Sequence, residues 1–255
     1  MQSVPVFRFW QFGTNVRYLQ DAREGSSIHA KGTILPNIEL LFKRLDELEL
    51  RVTVRAGKAL RDVETELKAL PSDAKLTPAQ ASKLSRTVSE LRQTMEAELK
   101  GLNAYTVSPK RLDVEKLLGD VASLFAPDCF GSLSAVAQYD LSEGAKCIAF
   151  ERPTAAAFHL MRATEESLRR YYCHFVRRDR MKVMLWYPMV QALQVHRRAK
   201  SHEALHRNLD NIRLSFRNPT QHPDKVYDIQ EAQDLFGLCV DVINRMQKVV
   251  SSDGV

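Results

Sequence analysis

The sequence predicts an all-α protein, a long N-terminal helical hairpin followed by a C-terminal up-and-down helical bundle. Three observations carry this. Apolar residues recur every three or four positions along most of the chain from Ile38 to Val250. Capping boxes stand at Thr77 with Gln80 and at Asp228 with Glu231. No stretch shows sustained alternation of apolar and polar residues, and none carries an Asn-Gly hairpin signal.

Residues 1–27 open with Phe7, Phe9, Trp10 and Phe12 and then turn polar, a pattern expected to pack as an arm on something larger. Residues 28–126 hold the hairpin. Its first limb carries Ile38, Leu41, Leu45, Leu48 and Val52, is interrupted near Arg55 and Gly57, and resumes with Leu60, Val63, Leu67 and Leu70. Pro71 ends it. The second limb starts at Pro78 behind the Thr77 cap and runs on Ala81, Leu84, Val88, Leu91, Met95 and Leu102. Two helices alone bury too little apolar surface, so the pair must dock on something else. A short helix is expected around Val114–Phe125. Residues 127–255 form the bundle, with helices over Leu133–Phe150, Thr154–Val176, a short stretch ending near His196, Ser201–Phe216 and Asp228–Val250. Trp186 and Pro188 fall in a looser stretch.

The composition, 44% hydrophobic and 27% charged, is that of a folded globular chain. No apolar run approaches the ~18 residues of a membrane span, and the first residues do not read as a signal peptide. Cys129, Cys147, Cys173 and Cys239 form no C-x-x-C pair, which suits buried, reduced thiols and a cytoplasmic location. Charge is unevenly spread. Between Glu151 and His222 fourteen lysines and arginines face six acidic residues, a net of +8 in a chain totalling +6, and six of the seven histidines fall in the same window. Such a segment favours a polyanionic partner, RNA above all.

Two motifs compete for the chemistry. His202-Glu203-Ala204-Leu205-His206 satisfies H-E-x-x-H, the zinc-peptidase helix in which two histidines bind metal and the glutamate acts as base. Lys200 and Arg207 beside it would repel a cation, and Glu231 is the sole suitable third ligand downstream. No metal or cofactor is therefore expected. The other motif is an arginine with a histidine five residues on, which occurs at Arg169/His174, Arg197/His202 and Arg217/His222. On one continuous helix such residues point about 140° apart and cannot serve one phosphate. Arg217 and His222 differ because Pro219 and Pro223 disfavour helix at Asn218 and His222. Asn218 is then expected to cap a one-turn helix closed by Gln221.

The stretch Phe216-Arg217-Asn218-Pro219-Thr220-Gln221-His222-Pro223 resembles the R-N-x-x-x-H signature of HEPN domains. The run from Thr154 to Glu166 resembles the helix that precedes it in bacterial HEPN-like proteins. The resemblance covers roughly residues 130–250. It implies a homodimeric, metal-independent endoribonuclease of the kind serving toxin–antitoxin or antiphage systems, with an antitoxin or neighbouring defence protein as a further partner. It makes His222 the proton carrier, Arg217 the holder of the scissile phosphate and Asn218 a positioning group. Glu165 or Glu166 is expected to hold the arginine, with Arg162 and His159 on the same polar face. His206, Arg213 and Arg169 are expected to extend the surface for RNA. The alternative is a HEPN-like module that dimerises or binds nucleic acid or a nucleotide without cutting it.

Overall fold

The computed structural model describes residues 5–176, 184–220 and 225–252, and among these there is no strand. The protein is all-α. The chain divides into two compact units, Met1–Tyr105 and Thr106–Val255.

The first unit contains α1 (Val6–Gln20), α2 (Ile34–Glu47), α3 (Arg51–Ala56), α4 (Lys58–Lys68) and α5 (Pro78–Leu99). The expected long first limb is thus broken. Glu49 adopts a left-handed backbone (φ 54°), and the Leu50 amide donates to the Leu45 carbonyl, which closes α2. The oxygens of Glu98 then accept from the backbone amides of Val52 and Thr53, filling the start of α3. Gly57 lies between α3 and α4, where a Cβ would sit 2.7 Å from the Phe42 ring on which Arg61 also stacks, so only glycine fits. The Thr77 capping box is formed as expected. The described part of the expected arm, residues 5–27, packs into the core of the hairpin. Phe12, Val16 and Leu19 of α1 are buried in the same core as Ile38, Leu45, Leu84 and Val88.

The second unit begins before the expected boundary at residue 127. Leu117 of α6 (Val114–Gly119), Val121 and Phe125 are buried in its core, which draws residues 106–126 into it. After the short α7 (Cys129–Ser132) come α8 (Ala135–Ala149) and α9 (Pro153–Phe175), which double back on each other across three residues. Helix α9 is the centre of the unit, packed against α8, α10 (Trp186–Val195) and α13 (Ile229–Ser252). Trp186, expected in a looser stretch, begins α10 instead; its buried indole donates to the Leu209 carbonyl. The expected Ser201–Phe216 helix is a composite. A 3-10 turn (Lys200–His202) leads into α11 (Glu203–Ile212), a π-helical segment (Arg213–Arg217) and α12 (Asn218–Thr220). The Asp228 capping box is formed, with Asp228 Oδ1 accepting from the Glu231 amide and Glu231 Oε2 from the Asp228 amide.

Cys129 and Cys239 are buried, and the Cys239 thiol is pushed up to about 12 by burial. Cys173 departs from expectation by being exposed. Among the described residues no helix is long and apolar enough to cross a membrane.

Candidate functional site

Proline at position 219 leaves the helix without one backbone donor, and its ring crowds the preceding turn. A sharp bend with Asn218 as cap is the expected outcome. The chain instead widens the turn: the Asn218 amide donates to the Arg213 carbonyl, five residues back, and Asn218 itself is helical (φ −64°, ψ −52°). Helix continues through Thr220. The Phe216 carbonyl accepts from the hydroxyls of both Thr220 and Tyr227, at 2.6 and 2.9 Å. The Tyr227 amide donates to Thr154 Oγ1 at the start of α9. Thr220 and Tyr227 are both buried. His222 and Gln221 lie outside the described residues.

Arg217, at the end of the widened turn, is half-buried. Its Nη2 is 3.9 Å from Glu165 Oε2 on α9, and the other oxygen of Glu165 accepts from Arg169 at 2.9 Å. The expectation that an acidic residue of this helix faces the arginine is met by Glu165, not by Glu166. Arg169 shares that carboxylate and remains exposed.

His159 and Arg162 do not join Arg217. Both turn to Asp140 of α8, a fully buried carboxylate. His159 Nδ1 lies 2.8 Å from Oδ1, and Arg162 Nε lies 3.3 Å from Oδ2, an ion pair without hydrogen-bond geometry. Sequence reasoning missed Asp140. Its signal was a carboxylate inside the apolar stripe of Ala137, Leu141, Gly144, Ala145 and Ile148. Gly144 makes the approach possible, because a Cβ there would meet Leu160 at 3.1 Å and the His159 Cβ at 3.5 Å.

Two residues expected on the RNA surface are corrected. His206 is fully buried, its Nε2 3.3 Å from the Tyr171 hydroxyl and its Nδ1 without a hydrogen-bond partner, and burial pushes its imidazole down to about 4. It cannot reach a polyanion. Arg213 donates to Asp210 at 2.8 Å and lies over the Tyr187 ring, with its side chain only 14% exposed, so little of the guanidinium faces solvent. Tyr171, Tyr172 and Trp186 are core, and Tyr187 is exposed beneath Arg213.

The H-E-x-x-H segment does not assemble a ligand set. His206 faces Tyr171, while Glu231 is held by Lys225 at 2.5 Å and by the Asp228 amide; those contacts keep its carboxyl below the usual range. No group of three metal-ligating side chains occurs among the described residues. Two open clefts, about 600 and 440 Å³, flank Arg245 and Lys248 on α13; both are lined by those residues, not by Arg217.

No protein-family model, no curated protein and no solved structure matches this chain.

Proposed function

We propose that the protein is a metal-independent endoribonuclease of the HEPN type, acting as a homodimer on RNA and serving a toxin or antiphage-defence system. The observation that carries the reading is the Arg217–Glu165 pair, which presents a half-buried guanidinium five residues ahead of His222 in sequence. Arginine offers a fixed fork for two phosphate oxygens, and a carboxylate behind it limits the side chain's freedom.

In the reaction, His222 takes the proton of a ribose 2′-hydroxyl, whose oxygen attacks the adjacent phosphorus. The bond to the 5′ oxygen breaks, and the His222 of a second copy returns a proton to that oxygen. Products are a 2′,3′-cyclic phosphate and a 5′-hydroxyl. Arg217 offsets the charge that builds on the phosphoryl oxygens, a contribution of about 3–4 kcal/mol for one preorganised group. The proton transfers add about 10²–10⁴-fold. Asn218, at the following position of the same turn, orients one of the reactants. The basic, histidine-rich segment supplies the attraction for the polymer.

Incubating the purified protein with mixed RNA in EDTA tests this. Fragments with cyclic-phosphate ends, lost in both His222→Ala and Arg217→Ala, are the expected result. RNA binding without cleavage would leave the non-cutting module instead. Activity that disappears on chelation would return the zinc reading of His202 and His206.

A further inference from the structure

The α8–α9 face carries a second set of polar side chains that the reaction above does not use. Asp140 is wholly buried in an apolar stripe, where a lone carboxylate is costly unless paired. Its partners are His159 at 2.8 Å and Arg162 at 3.3 Å. The His159 nitrogen bound to Asp140 is Nδ1, which leaves Nε2 as the free ring atom. Arg162 spends only Nε on Asp140; its side chain is 64% exposed, so the outer edge of the guanidinium faces solvent. Beside them Tyr139 is 60% exposed, its ring edge-on to the imidazole with centroids 6.4 Å apart.

From this geometry we infer that Asp140, His159, Arg162 and Tyr139 form a binding site for one nucleotide unit, the phosphate on His159 and Arg162 and the nucleobase on Tyr139. Asp140 fixes the imidazole and guanidinium, as a buried carboxylate orients a ligand-facing histidine elsewhere. The ring edge of His159 that carries Nε2 and the outer edge of the Arg162 guanidinium meet the phosphate, with the Asp140 carboxylate behind both. The exposed tyrosine face accepts any base by stacking, which makes the site tolerant of sequence. Nucleophilic catalysis is a poorer use of the pair. Cys147, the thiol on α8, lies seven residues beyond Asp140, about 10 Å along the helix.

The inference names where the strand of the proposed ribonuclease is held, and so rests on that reading. Its test is binding, not cleavage. The probes are a short single-stranded 2′-O-methyl RNA, which no 2′-hydroxyl mechanism can cut, and adenosine monophosphate, each titrated into the full chain. Tyr139→Ala and Arg162→Ala, both at exposed side chains, and His159→Ala should each weaken binding of the RNA by about tenfold. Adenosine monophosphate should shift the His159 ring resonances in wild type but not in Tyr139→Ala; a response to the mononucleotide alone would assign the site to free nucleotides. Unchanged affinity in both Tyr139→Ala and Arg162→Ala, or no binding of either probe, overturns the inference. Binding lost in these variants by a protein that never cuts RNA would sink the nuclease reading and leave this one standing.

Discussion

Arg217 and Glu165 meet across the seam between the widened helical turn and α9, Nη2 to Oε2 at 3.9 Å, and the same carboxylate holds Arg169 at 2.9 Å. One acidic side chain therefore sets the position of two guanidiniums from different elements. The carboxylate between them offsets the repulsion of the two positive groups.

Glu165→Gln keeps the shape of that side chain and removes its charge. Stability should change by less than about 1 kcal/mol, because partly exposed ion pairs contribute little. RNA cleavage should fall about tenfold, the cost of ~1.4 kcal/mol in the barrier, as Arg217 loses its fixed orientation. Single-turnover rates beside urea unfolding curves separate the two effects. A variant that cuts at the wild-type rate would remove Glu165 from the machinery.

A second prediction comes from His206. Its folded-state imidazole titrates at about 4, against an ordinary value of 6.5, because burial opposes the charged form. As pH falls below 6.5 the unfolded chain takes up a proton that the folded one refuses, so stability falls with pH until about 4 and then levels off. The loss amounts to about 3 kcal/mol at most. Glu64 and Glu231, whose carboxyls are lowered in the fold, lose their contributions only below 4.5. The two windows are therefore separable. Trp186 is buried against Leu209, and Trp10→Phe leaves it as the single tryptophan, so its fluorescence reports the second unit. Urea midpoints from pH 8 to 4 should drop less in His206→Gln than in the parent. Parallel curves would mean that His206 is protonated in the folded state.

Helical periodicity made most of the fold legible. Ile38, Leu41 and Leu45 face the first core, and Leu160, Leu168 and Leu235 the second, because a stripe at that spacing has one stable use. The break at Glu49 was not legible, since a left-handed glutamate has no local marker and the sequence pointed to Gly57. Pro219 predicts a bend because its effect on an α-helix is strong; a π turn absorbs the same defect and leaves no sequence trace. His206 stands beside Leu205 and three residues before Leu209, on the edge of the apolar face, where position alone does not separate core from surface. Helix position narrows the arginine's partner to Glu165 or Glu166 and does not separate the two. Asp140 was not, because its partners come from another helix and pairing across helices is not periodic.

That pairing yields a third prediction through Gly144. The α8–α9 contact leaves a Cβ at position 144 only 3.1 and 3.2 Å from the two nearest Leu160 atoms, and Leu160 is fully buried. Gly144→Ala gains helix propensity of about 1 kcal/mol, which the tight contact should roughly cancel. Gly144→Val adds two more methyl groups to the same gap and should cost about 1–3 kcal/mol by overpacking. Separation of the helices to relieve that clash lengthens the 2.8 Å Asp140–His159 contact four residues away. The Val variant should thus lose urea stability and also weaken adenosine monophosphate binding, whereas the Ala variant changes neither by much. A Val variant as stable as wild type would mean that α8 and α9 are not held at this distance, and that Asp140 reaches His159 by some other constraint.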